Sequence, residues 1–295
     1  MAFTDLNHTN KWVPEEVDGQ VIQSILRNSA VEAVGRKVNM NSDITYLPTG
    51  TFAGADLVAE GATVPVLDPT LSKQTLQAYK WANRFAQSSE DDEDSVVDFF
   101  NFSKTRWFSN WAVKFDNSAL GTTAAANGTT VPFTSVYKAA TDASGVLATA
   151  GALTFEDLND SFAALETGNY FDAADGVIIA HPALAGSLRN LKDAAGTRVV
   201  VDPLGDANPT IFGYELVFSN GARTSATATD APAGNPLLIV GAKSQLVVGV
   251  RSGPESMVSS EAQWETDNLE LKTRVRRAFT VGNSAAFRVV EITAS

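Results

Sequence analysis

The chain has 295 residues, 44% hydrophobic and 9% aromatic, which is enough apolar surface for a sizeable core and too much for a disordered chain. Its 22 basic and 34 acidic side chains leave a formal charge of -12, which repels other polyanions and argues against a dedicated nucleic-acid binder. With 0 cysteines there is no disulfide, thiolate metal site or cysteine nucleophile; the opening MAFTDLNHTNKW lacks a secretory pattern, and no apolar run reaches the ~20 residues of a membrane span.

Residues 1–15 are expected to form an extended arm ending in Trp12, Val13 and Pro14. The spacing of Val17, Val21, Ile25 and Leu26 predicts a short helix, with Asn28-Ser29 near its end. From 43 to 83, the strand-like pieces DITYLPTGTF, VAEGATVPVL and TLQAYKWANRFAQ are broken by Pro48, Gly50, Gly54, Gly61, Pro65 and Pro69. Few positions there make a continuous apolar face, so the stretch is expected to lie on something else. The longest helix is predicted over 95–120. Ser95 and Asp98 offer a capping box and Gly121 a stop, while Val96, Phe100, Trp107, Trp111, Phe115 and Ala119 mark one stripe. At ~1.5 Å per residue it spans roughly 39 Å, a candidate spine with Phe100, Trp107, Trp111 and Phe115 as its packing residues.

Residues 121–152, rich in Ala, Thr and Gly, read as loops with short strands. A helix is predicted from Thr154, its capping box closed by Asp157, with Leu153 stapled against Leu158 and with Phe155, Phe162 and Leu165 facing a core. VIIA at 177–180 reads as a buried strand, and His181-Pro182 opens a further helix carrying Leu184, Leu188 and Leu191. After Gly196 come TRVVV, IFGYELVF, LLIV, QLVVGV and AFRVVEI. Between them, at 269–281, Leu269, Leu271, Thr273 and Val275 alternate with Glu270, Lys272, Arg274 and Arg276, the pattern of a half-exposed strand. No internal repeat is present. The fold class is α+β, a long helix beside antiparallel strands with a mixed central domain.

No catalytic, cofactor-binding or metal-binding residue is assigned. His8 lies in the arm, and the His181 ring is placed to cap the helix after it. The acidic run Glu90–Asp94 lacks the spacing of a calcium loop and suits the start of a long helix, where the dipole favours negative charge. Consecutive acids at a helix start point in different directions, so a carboxylate-pair hydrolase is a poor reading. No nucleophile elbow, phosphate loop or dinucleotide fingerprint occurs. Trp107 and Trp111, four residues apart on an apolar stripe, read as core or subunit interface rather than a ligand stack. Lys272, Arg274, Arg276 and Arg277 read as a solvated face or an interface paired to acids.

In order, Asn28-Ser29-Ala30-Val31, Glu60-Gly61-Ala62, Ser88-Ser89-Glu90 before the acidic run, and Phe115-Asp116-Asn117-Ser118-Ala119-Leu120-Gly121 resemble stretches of the HK97-fold major capsid proteins of tailed double-stranded DNA phages. So do Val177–Pro182, Leu188 to Gly196, Ile211–Leu216 and Leu238–Gly241, although Glu215 and Ala242 depart from the usual residues. The resemblance spans about 12 to 292. It implies an N-terminal arm with a short helix (1–42), an extended β loop (43–83), a peripheral domain holding the spine helix (84–124 and 266–295) and an axial domain (125–265). It further implies a structural protein, not an enzyme, that builds hexamers and pentamers of an icosahedral virion shell in the bacterial host cytoplasm. Its expected partners are itself, a separate scaffolding protein, a portal protein, and packaged DNA held without sequence-specific binding, with no membrane. Expected interface residues are Trp12, Glu60, Lys73, Arg274, Arg276 and Arg277. Lys73 lies in the loop from which some members crosslink, but no asparagine partner is identified. A cellular encapsulin-like compartment is the alternative on the same fold.

Overall fold

Four helices of the computed structural model open on a side chain that answers their free amides. The structure describes residues 28–51, 57–64, 66, 68, 70–94, 98–192, 196, 200–201 and 209–293. Trp12, Ser95 and the helix expected over 17–26 lie outside the described residues. The first described helix, α1 (Ala30–Val34), starts at Ser29, whose hydroxyl accepts from the Glu32 amide. Ser29 therefore begins a helix. A serine with extended backbone before an apolar pair is a natural N-cap.

After α1 come β1 (Arg36–Asn39), β2 (Ile44–Thr51), β3 (Thr70–Gln77) and β4 (Tyr79–Ser88). The acidic run forms its own short helix, α2 (Ser89–Asp94), and the long helix α3 follows as Phe99–Leu120. The cap of α3 is Asp98, which accepts from the Asn101 amide at 2.9 Å. It is four residues shorter at its start than the sequence pattern suggests, because Asp98 takes the capping role itself. Its 22 residues still span ~33 Å. The stretch expected as loops and short strands contains α4 (Val136–Asp142), capped by Ser135, as well as β5 (Val146–Ala150). Composition concealed this helix; its buried Val136, Ala139 and Ala140 are held by tertiary packing. In α5 (Phe155–Glu166) the Thr154 and Asp157 capping box forms as expected.

The remaining elements are β6 (Gly176–Ala180), α6 (Ala185–Asn190), β7 (Val200–Val201), β8 (Thr210–Ile211), β9 (Tyr214–Phe218), β10 (Leu237–Ala242), β11 (Leu246–Gln263), β12 (Asn268–Val281) and β13 (Phe287–Thr293). His181 Nδ1 accepts from the Ala183 amide at 3.0 Å and caps the turn leading to α6. Between β8 and β9 the chain reverses through Phe212 and Gly213, both at positive φ, the two-residue turn that matches strand twist. Phe212 holds this unusual conformation while its ring packs edge-on against Phe162.

Two sheets organise the core. Four strands run in the order β1-β11-β12-β4, and seven in the order β5-β13-β10-β6-β9-β8-β7. In β6 and β10 every residue is buried, since both faces of the seven-stranded sheet are covered. Val177, Ile179, Leu237 and Ile239 join a cluster with Trp111 and Phe115 of α3. Their neighbours Ile178, Ala180, Leu238 and Val240 join a second cluster with Leu158, Phe162 and Leu188. This two-residue alternation sends successive side chains to opposite faces. The first cluster also takes Val248, Val275 and Phe279 from the four-stranded sheet, so the C-terminal half of α3 is wedged between the sheets.

β4 pairs along its length with β12. β11 belongs with β12, while β13 pairs with β10 and β5. The segment 246–263 thus lies in the four-stranded sheet and 287–293 in the seven-stranded one.

Candidate assembly surfaces

The C-terminal end of α3 is a polar hub set in an apolar wedge. Asp116 is 2% exposed. It accepts from the Ser29 hydroxyl at 2.5 Å, the Ala30 amide at 2.9 Å, the Val31 amide at 3.3 Å and the Ser219 hydroxyl at 2.6 Å. Burial pushes its carboxyl up to about 6, against the pull of the Ser219 and Ser29 hydroxyls and the two amides. Next to it, Asn117 Nδ2 donates to the carbonyls of Gly221 at 3.0 Å and Arg223 at 2.7 Å. A Cβ on Gly121 would stand 1.9 Å from the Arg223 carbonyl oxygen, so only glycine fits there. The stretch from Asp116 to Gly121 fastens the spine helix to α1 on one side and to the 219–225 loop on the other.

From this anchored body the β2-β3 ribbon departs. Its root is fixed: Leu76 is fully buried among Met40, Ala78, Val247 and Ala278, with Leu47 packed alongside. Farther out the apolar side chains meet solvent. Tyr46 is 54% exposed, Leu71 73% and Val66 90%. Among the described residues its two strands pair only with each other, in a two-stranded sheet from Ile44↔Gln77 to Thr51↔Thr70. Lys73 is exposed on it, with Nζ 4.1 Å from the centre of the Tyr46 ring. Glu60 is exposed in a turn closed by Gly61 at φ 80°.

The basic strand β12 pairs mostly within its own chain. Arg274 meets Glu255 at 2.6 Å, and Arg276 meets Asp43 at 2.9 Å at the root of the ribbon. Arg277 is buried. It pairs with Glu32 of α1, donates to the Ser252 carbonyl at 2.5 Å and lies over the Trp111 ring. Its donors are engaged inside the subunit, positioning α1. Glu270 departs from the expected outward alternation: it is buried, accepts from Gln263 at 2.6 Å and faces Arg84. On α3, Trp111 and Phe115 are buried, Trp107 is half-buried against the same cluster, and Phe100 meets Phe85 edge-on at 6.1 Å.

Among the described residues no three His, Cys, Asp or Glu side chains gather at metal-binding distance, and no described helix is long and apolar enough to cross a membrane.

A well-anchored body with an outlying apolar ribbon belongs to the class of structural subunits that complete themselves against other chains. The chain belongs to the phage capsid family, whose model matches residues 10–292. It is a major capsid protein, a shell-forming structural protein. Solved structures share the fold at low identity. One from Mycobacterium phage Bobi is 19% identical with a TM-score of 0.78, covering 100% of this chain and 99% of that one. One from Mycobacterium phage Adephagia is 19% identical with a TM-score of 0.76 and the same coverage. The capsid of a native GTA particle, computed with C5 symmetry, is 17% identical with a TM-score of 0.70, covering 98% of each chain. No curated protein sequence matches.

Proposed function

We propose that this subunit forms rings of five and six that close an icosahedral shell around double-stranded DNA, and that it catalyses no reaction. The observation that carries the reading is the β2-β3 ribbon, anchored at Leu76 yet exposing Tyr46, Leu71 and Val66. A lone two-stranded ribbon is marginal in water, so it gains stability by lying across a neighbouring subunit. Heterologous contacts of this kind close into rings when the rotation permits. The proposed interface residues are Trp12, Glu60, Lys73, Arg274 and Arg276, with Arg277 acting within the subunit instead. The proposed divisions are the arm, the ribbon over 43–78, a peripheral body around α3 and the four-stranded sheet, and an axial body around the seven-stranded sheet.

The charge of -12 favours confinement of DNA over specific binding. Assembly in the host cytoplasm with a separate scaffolding protein and a portal protein completes the reading. Electron microscopy of the protein co-produced with its scaffold tests it. Closed shells are expected; a stable monomer at every concentration would contradict it.

A further inference from the structure

Between α3 and the start of β4 runs an open groove of about 960 Å³, lined by Lys80, Trp81, Arg106, Trp107, Trp111 and Lys114 together with small and polar loop residues. Among the described residues its lining holds three cations and no carboxylate, in a chain whose net charge is -12. Asp230, just beyond the rim, accepts from the Thr227 hydroxyl. Aromatic walls and cations together call for an acidic occupant.

We propose that the occupant is the acidic helix α2 of a second copy of this chain. The run Glu90–Asp94 holds five consecutive carboxylates. Glu90 and Glu93 are exposed, and neither forms an ion pair among the described residues. The acids of this chain's own α2 are out of reach of much of the groove. Lys80 lies ~26 Å along β4 from Ser88 at ~3.3 Å per residue, and Lys114 lies ~22 Å from the start of α3 at ~1.5 Å per residue. Each chain carries such a groove and such an acidic run, so in a ring the contact repeats head-to-tail from each copy to the next. Opposite charges on the two faces steer encounter and fix register. This inference rests on ring assembly but uses no part of the β2-β3 ribbon.

The test exploits the absence of cysteine. Lys80→Cys with Glu93→Cys in one chain should, on oxidation of the assembled protein, give a ladder of disulfide-linked oligomers. The ladder reads the contact in isolated rings as well as in shells, so failure of shell closure is told apart from failure of this contact. In parallel, Lys80→Glu/Lys114→Glu and Glu90→Lys/Glu93→Lys should each lower the assembled fraction at least ~tenfold, while all four changes together restore it, with thermal melts confirming that every variant folds. Three results would overturn the proposal: assembly of either reversed variant as in wild type, absence of the disulfide ladder in assembled protein, or normal particles from the groove variant that lose DNA, which would make the groove a nucleic-acid contact.

Discussion

Ser29 and Asp116 are 87 positions apart in sequence, and their side-chain oxygens are 2.5 Å apart in space. Through this bond and the Ala30 and Val31 amides, the spine helix holds the N-terminus of α1. Asp116→Ala would strand two hydroxyl donors and two amides in a buried site. The expected loss is about 3 kcal/mol or more of folding stability, read as a lower denaturant midpoint. A midpoint equal to wild type would mean that the hub is not needed for the fold.

The same carboxyl gives a signed pH dependence. Its folded value is raised from 3.8 to about 6 by burial. Between those values the folded state binds more protons than the unfolded state, so stability falls as pH rises through the window. The contribution is fully present below 3.8 and is lost as pH passes through the folded value. It amounts to at most about 3 kcal/mol. Asp116→Asn removes this titration. The stability difference between wild type and Asp116→Asn should therefore shift in favour of wild type as pH falls from 7 to 4; a difference that does not change with pH would refute the assignment.

Trp111 stacks on Phe115 at 5.5 Å and shares a cluster with Val275 and Phe279 of β12. Trp111→Asp would place a carboxylate among these rings, with Arg277 already engaged by Glu32. The expected destabilisation is roughly 3–5 kcal/mol, a large part of a typical domain's stability. A calorimetric melt coinciding with wild type would show that α3 buries a different face.

Periodicity and caps exposed much of this fold in the sequence. The Thr154–Asp157 box, the buried VIIA strand, the His181 cap and the alternation along β12 are local patterns, each set by residues within a few positions of one another. The long helix was legible too, though its start lay at Asp98. What stayed hidden was long-range. Nothing local to Asp116 reveals Ser29 and Ser219 as its donors, and nothing local to Arg277 reveals Glu32. The pairing of β13 with β10, and of β11 with β12, is likewise a tertiary choice that strand propensity does not encode. The groove between Trp81 and Lys114 escaped for the same reason, since its walls come from four separate stretches.

The central claim is that the β2-β3 ribbon stabilises the assembly and not the subunit. Replacing residues 48–70 with a short Gly-Ser turn removes its outer part while leaving the Leu76 anchor in place. Closure entropy changes only slowly with loop length, so the body should keep its secondary structure and a cooperative melt. Circular dichroism and sedimentation on one sample decide the matter: a folded subunit that fails to form shells is the predicted result, whereas loss of the fold, or shells at wild-type yield, would contradict it.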